Sequence, residues 1–305
     1  MISICTTLYK SEKTILPFLE RMTNVLNATN LAYEIIVVDD GSPDNSAALV
    51  QGFLRENAHI KLIELSRNFG HHKALRTAMK YSKGDLVFLI DSDLEEEPEL
   101  LNDFLKAKEL NPSFDVVYGV QAQRKGDKIE KIGGGIFWKL YALLSDTTLM
   151  PNTSTVRLMT RRYVDAFLLS DENDFFIDGI ADFTGFAKMP ITFKKGSKGE
   201  TSYTFSKRFH LAVNAITSFS AVPLKLIFYV GALLFALAGL IAIVTVSRYL
   251  FVGIPVQGWT SLILSIWLLG GLQLMMMGIL GIYLARVFNE VKKRPFVIVK
   301  NIHES

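Results

Sequence analysis

The 305-residue chain is 50% hydrophobic and carries a formal net charge of +3, too small a balance to argue for nucleic acid as a partner. Its mean hydropathy is +0.27, and the apolar excess lies after residue 220, which sets a water-soluble part against a membrane part. The single cysteine, Cys5, excludes an intrachain disulfide and a cysteine-based zinc site.

The first eight residues have no basic start and no long apolar run, so no secretory leader is expected. Apolar runs and helical patterns then alternate. Strands are expected over Ile2–Leu8, Glu34–Val38, Ile60–Leu65, Leu86–Ile90 and Asp115–Tyr118. Helices fall between them, near Glu12–Asn27, after Ser42 and Pro43, near His72–Ser82 and over Pro98–Leu110. Short connections in this order give a mostly parallel sheet with helices on both faces. Cys5 packs as a small apolar group in the first strand. The dinucleotide fingerprint Gly-x-Gly-x-x-Gly is absent, and Gly133-Gly134-Gly135 lacks a Lys-Ser/Thr continuation, so it reads as a hinge rather than a phosphate loop.

Two of the strands end in acids. Val37-Val38-Asp39-Asp40-Gly41-Ser42-Pro43 closes one, with Ser42 as the expected N-cap and Pro43 as the first residue of the next helix. Asp91-Ser92-Asp93-Leu94-Glu95-Glu96-Glu97-Pro98 closes another. The carboxyl ends of strands are where an open α/β sheet binds ligands. Two carboxylates two residues apart suit a hard divalent cation that keeps positions open for phosphate oxygens. A solvated acidic turn is the alternative for either stretch, and the two together are more specific than one. His71 and His72 invite a metal reading, but histidines at a helix start are more often hydrogen-bonded loop residues.

Beyond residue 205 the pattern changes. Phe209, Val213, Ile216 and Phe219 recur at helical spacing behind Lys207, Arg208 and His210, as in a helix lying in a membrane interface. The aromatic run Ile136–Leu144 invites the same reading, with ordinary core packing as the rival for both. Ile227–Val246 and Trp259–Ala285 contain no charged side chain, and each reaches the roughly 20 residues needed to cross a bilayer. Lys292, Lys293, Arg294 and Lys300 follow the second segment, whereas the connector has only Arg248, which places both termini on the cytoplasmic side. The expected organisation is a domain over 1–205, an interfacial helix over 206–222, two spans within 223–287 and a basic cytosolic tail over 288–305.

Taken together, Glu34–Ser46, Ser66-Arg67-Asn68-Phe69-Gly70, Asp91–Glu99, Arg157-Leu158-Met159, Ile216–Ser220 and Glu290–Pro295 resemble the polyprenyl-phosphate glycosyltransferases of family 2. That resemblance implies a GT-A nucleotide-sugar domain, a mostly parallel α/β sheet, followed by membrane helices. It implies transfer of a hexose, glucose first, from a nucleotide sugar, a UDP-sugar first, to undecaprenyl phosphate, with inversion, for cell-surface glycan or O-antigen modification. The setting implied is the cell inner membrane, multi-pass, with Mg²⁺ or Mn²⁺ as cofactor; a homo-oligomer stays open. Asp91, Asp93 and Glu95 are the implied metal ligands. Asp93, Arg124 and Arg157 are the implied catalytic residues, and Thr7, Tyr9, Glu12, Asp39, Asp40, Asp91, Lys195 and Lys198 the implied substrate contacts.

The chain departs from the family pattern in places. Thr7-Leu8-Tyr9-Lys10-Ser11 stands for Pro-x-Tyr-Asn-Glu, leaving Tyr9 in place and Glu12 as a substitute acid. Gln121 stands where an arginine is expected, which shifts that role to Arg124, and Glu95 where a glutamine is common. Ser154-Thr155-Val156 replaces Gly-Asp-Phe and removes a carboxylate. A lipid phosphate is largely ionised at pH 7 and can attack without a protein base. The competing readings are a processive polysaccharide synthase, for which more spans and a Gln-x-x-Arg-Trp motif are wanting, and a non-catalytic, membrane-tethered nucleotide-binding protein.

Overall fold

The computed structural model describes residues 1–122, 153–170, 177, 180, 183–193, 222–252 and 258–304. Its centre is β1 (Ile2–Leu8), buried along its whole length. Alternation sends Ile2, Ile4 and Leu8 into one apolar core and Cys5 into the other, which lies on the opposite face of the sheet. The strand's polar side chains are used as ties. Ser3 Oγ donates to Glu34 at 2.6 Å and accepts from the Gly84 amide at 2.7 Å.

On the first face lie α1 (Ile15–Ala28), α2 (Ser46–Leu54) and α4 (Leu100–Leu110). In α1 the buried positions Ile15, Phe18, Leu19, Met22, Val25 and Leu26 follow the 3.6-residue period that makes one apolar stripe. Pro17 sits in its first turn, where no amide is missed, and Asn30 at φ 54° ends it. On the second face lie α3 (His71–Tyr81) and α5 (Arg161–Leu168). Fully burying one large apolar side chain contributes about 1.5–3 kcal/mol, so the two cores hold the sheet from both sides.

The remaining strands are β2 (Tyr33–Asp39), β3 (Ile60–Leu65), β4 (Leu86–Leu89), β5 (Val116–Gln121), β6 (Thr153–Thr160), β7 (Lys188–Phe193) and β8 (Val299–Glu304). The sheet order is β7-β5-β6-β4-β1-β2-β3-β8. β4, β1, β2 and β3 are mutually parallel, while β6 and β8 run antiparallel to their neighbours. The expected α/β class and mostly parallel sheet are therefore observed.

Two elements differ from expectation. The helix after Ser42 and Pro43 begins only at Ser46, because the Asp44 carboxylate accepts from the Ser46 amide at 3.2 Å and from the Ser42 hydroxyl at 2.6 Å. The end of the expected basic tail is β8, paired with β3 from Lys61↔Glu304 to Leu65↔Val299. It covers a sheet edge that would otherwise present unpaired amides. Glu64 on β3 receives Asn301 at 3.0 Å and contacts His303 at 3.1 Å, and Phe296, just before β8, lies under the Arg76 guanidinium of α3 at 4.4 Å.

Two long helices, α6 (Val222–Val252) and α7 (Trp259–Val291), belong to a unit separate from the sheet. At 1.5 Å per residue they are each more than about 45 Å long. Leu240, Ile241, Ile243 and Val244 of α6 are all exposed, so that helix is apolar on more than one side. Among the described residues one stretch, Leu269–Val291 in α7, meets both the length and the hydropathy of a membrane-crossing helix, and none of its apolar window is buried. Gly133–Gly135, Ile136–Leu144 and the expected interfacial segment 206–221 lie outside the described residues.

Candidate active site

The chain leaves β1 toward β2 and β3 on one side, then returns to place β4 on the other. Such a reversal opens a crevice at the carboxyl ends of the strands. Thr7 and Leu8 of β1, Asp39 at the end of β2 with Asp40 after it, and Asp91 after β4 all end there. Hydrogen bonds fix the three ends together: the Asp40 amide donates to Leu8 O at 3.1 Å, the Ile90 amide to Cys5 O at 3.1 Å, and Ser92 Oγ to Thr7 O at 2.7 Å.

The first acidic turn is closed by its neighbours. Asp40 accepts from the Phe69 amide at 2.7 Å and the Gly70 amide at 3.0 Å, one on each oxygen. Gly41 permits this approach. At φ 65° it lies so close to the 66–70 loop that a Cβ would stand 2.6 Å from the Arg67 carbonyl carbon. Asp39 accepts from the Ser42 amide at 2.9 Å, and burial pushes its carboxyl up to about 6, with Glu64, Asp40 and Asp44 adding repulsion. Burial also raises Asp40, opposed by its two amide bonds. Arg67 stacks over Phe69 at 4.4 Å beside this turn.

The loop after β1 is tied to the same turn. Lys10 N donates to Ser42 Oγ at 2.7 Å, Ser11 N to Ser46 Oγ at 3.0 Å, and Glu12 N to Asp44 Oδ2 at 3.2 Å. Glu12 itself accepts from Asn45 at 3.3 Å, and Tyr9 is exposed. Desolvation works against it, but bonds from Ser42, Ser46 and Glu12 hold Asp44 down to about 2.

The second acidic turn combines side-chain and backbone contacts. His71, the first residue of α3, places Nε2 3.3 Å from Asp91 Oδ1 and Nδ1 3.2 Å from Thr7 Oγ1. Asp93 Oδ1 accepts from the Glu95 amide at 2.9 Å across Leu94, whose φ is 63°. Glu96 is buried and bonded by the Ser154 hydroxyl of β6. Arg157 stands opposite Leu89, so β6 carries it to the carboxyl end of β4. It is buried, and donates from Nε to Thr155 O at 3.1 Å and from Nη2 to Ser154 O at 3.2 Å. Arg124, Lys195 and Lys198 lie outside the described residues.

Among the described residues no three His, Cys, Asp or Glu side chains are gathered into a cation-holding group, so Asp91, Asp93 and Glu95 do not close a site by themselves. Asp91 and Asp93 nevertheless suit a hard cation that takes most of its ligands from water and phosphate oxygen, as Mg²⁺ does.

The sequence model described as "Glycosyl transferase family 2" matches residues 3–168, from β1 through α5. The chain belongs to glycosyl transferase family 2. This family 2 glycosyltransferase is 42% identical over 304 residues to a protein of Mycobacterium tuberculosis named among its glycosyltransferases, covering 100% of this chain and 89% of the relative. It is 28% identical over 305 residues to the SfII prophage-derived bactoprenol glucosyl transferase of Shigella flexneri, covering 99% and 98% of the two chains. Among solved structures, S. aureus TarS 1–349 in complex with UDP-GlcNAc aligns at 20% identity and a TM-score of 0.46. That alignment covers 71% of this chain and 65% of TarS 1–349, so it spans less than two thirds of the solved chain.

Proposed function

We propose that this glycosyltransferase moves a hexose, glucose first, from a UDP-sugar to a polyprenyl phosphate at the cytoplasmic face of the cell inner membrane. The observation that carries the reading is the end-to-end likeness to a bactoprenol glucosyl transferase, which runs through the long apolar helices as well as the sheet domain. In this reading α6 and α7 both cross the bilayer, and the segment 206–222, with Lys207 and Arg208, lies at the interface.

Asp39 and Asp40 grip the base or ribose of the donor. Asp91 and Asp93 are the residues that would hold Mg²⁺ or Mn²⁺, with Glu95 joining directly or through water, and a bound ion would supply positive charge beside the nucleotide diphosphate. Arg157, Arg124, Lys195 and Lys198 serve the donor and acceptor phosphates. The lipid phosphate attacks the anomeric carbon as the bond to the nucleotide breaks, so an α donor gives a β product without a covalent enzyme intermediate. The lipid-linked sugar then supplies cell-surface glycan or O-antigen modification.

The test uses membranes containing the full chain, undecaprenyl phosphate and a panel of radiolabelled nucleotide sugars. Label should enter a solvent-extractable lipid when Mg²⁺ or Mn²⁺ is present and stay out of it in excess chelator. Label in protein or soluble glycan, or an unchanged rate in chelator, would overturn the proposal.

A further inference from the structure

We infer that Glu64 is a positioning residue for the donor: held in place by the strand β8, its charge governs when Asp39 takes up a nucleotide. The inference rests on the proposed grip of Asp39 on the donor base or ribose. It gives β8 a task beyond covering a sheet edge. The parallel register sets Asp39 and Glu64 side by side at the carboxyl ends of β2 and β3. Each follows by two residues a side chain of the first core, Val37 and Leu62, so both carboxylates lie on that face. They are 6% and 9% exposed. Neighbouring carboxylates shielded from water resist being charged together.

The surroundings decide which of the two gives way. Gln51 of α2 donates to Glu64 Oε1 at 2.7 Å, Asn301 of β8 donates to Oε2 at 3.0 Å, and His303 of β8 has Nε2 3.1 Å from Oε1. Asn301 and His303 stand opposite Glu64 and Leu62 in the register, which brings both side chains to the same face. Desolvation works against it, but these three partners hold Glu64 below the usual carboxylate range. Asp39 receives the Ser42 amide, yet burial lifts it to about 6, and Glu64 leads Asp40 and Asp44 among the acids that add to the rise. The basic side chains nearby act elsewhere. Arg67 and His71 favour the charged form of Asp40, and Lys61 pairs with Glu304 at 2.8 Å, one residue out of phase with Leu62 and so on the other face. Two of the three partners of Glu64 therefore come from β8. A Glu64 released from that strand protonates or turns toward water, and either change relieves Asp39.

The experiment is calorimetric titration of the purified full chain in detergent with UDP-glucose and Mg²⁺ from pH 5 to pH 8, with thermal melting at each pH. UDP-glucose is the probe because its diphosphate is esterified at both ends and keeps its charge over this range, unlike a terminal phosphate with a second pKa of about 6. Wild-type affinity should rise with pH and reach half its gain near 6, where Asp39 ionises. Glu64→Gln should reach that point at least about half a pH unit lower, which makes it about twofold the tighter binder at pH 5.5 and equal to wild type at pH 8. Asn301→Ala combined with His303→Ala should move the profile in the same direction. With Asp39→Asn, affinity should be weak at every pH and Glu64→Gln should add nothing, a result that a purely structural role of Glu64 would not give. Matching profiles for wild type and Glu64→Gln, or an effect of Glu64→Gln that persists alongside Asp39→Asn, would overturn the inference alone. An unmoved profile in the Asn301 and His303 double variant would remove β8 from it. If Asp39→Asn binds UDP-glucose as tightly as wild type at pH 8, the proposed grip of Asp39 fails, and this inference with it.

Discussion

The turn at Asp39-Asp40 and the turn at Asp91-Asp93 look alike in sequence, each an acidic pair at the end of an apolar strand, but the protein builds them oppositely. The first is tied by backbone: the Ser42 amide bonds Asp39, the Phe69 and Gly70 amides bond Asp40, and both acids are buried. The second combines a side chain with a backbone amide and is partly exposed, with one oxygen of Asp91 facing His71 and one of Asp93 on the Glu95 amide. Asp40, with an amide on each oxygen, is an anchor of fixed direction for the 66–70 loop. An ionised carboxylate has about four lone-pair sites, so a partly exposed one can still meet an ion. The proposed cation pair is therefore separable from the turn that anchors the 66–70 loop.

The sharpest way to test that division is Asp93→Asn. It removes charge from the open turn and keeps both the shape and an oxygen for the Glu95 amide. Transfer should fall at least about 100-fold, roughly 2.7 kcal/mol of barrier, while the urea midpoint stays where it was. A variant retaining more than a few per cent of the wild-type rate would mean that the open turn is not where catalysis is concentrated. Asp40→Ala should do the reverse in kind. It strands the Phe69 and Gly70 amides in a part-buried place, which costs about 1 kcal/mol of stability and lets the 66–70 loop drift. Equal urea midpoints for Asp40→Ala and wild type would remove the anchor role.

How far the sequence discloses this follows from which contacts are local. The alternation from β1 to β5 was readable because each strand is a short apolar run and each helix carries its own stripe. The acids at the ends of β2 and β4 were readable for the same reason. What was not readable depends on partners far along the chain. Val-Lys-Asn-Ile-His-Glu looks like a polar tail until β3 is beside it, more than 230 residues away in sequence, as for the Asn301 contact with Glu64. Glu96 looks like one more solvated acid until β6 brings Ser154 against it. The late start of α2 is a local miss: the Ser42 hydroxyl donates to Asp44, and the Ser46 amide bonds Asp44 as well. The place of His71 also needs the sheet, which brings Thr7 and Asp91 beside one ring.

The smallest expected effect is a pH dependence at Asp39, and it probes the closed turn without dismantling it. Burial raises this carboxyl from 3.8 to about 6 in the folded chain, so the native state binds the proton more tightly than the unfolded state does. The stability this group contributes is whole below pH 3.8 and is lost as pH rises through about 6, leaving a cost at pH 8. Asp39→Asn keeps an oxygen for the Ser42 amide and cannot ionise. It should therefore be more stable than wild type at pH 8 and lose that advantage by pH 4, in urea unfolding at each pH. Donor affinity should move the other way: wild type binds UDP best above pH 6, where the carboxylate can accept from ribose or base, while the variant binds weakly throughout. A stability difference that stays the same from pH 4 to pH 8 would show that Asp39 is not desolvated in the way its surroundings require. The two acidic turns would then differ in geometry but not in electrostatics.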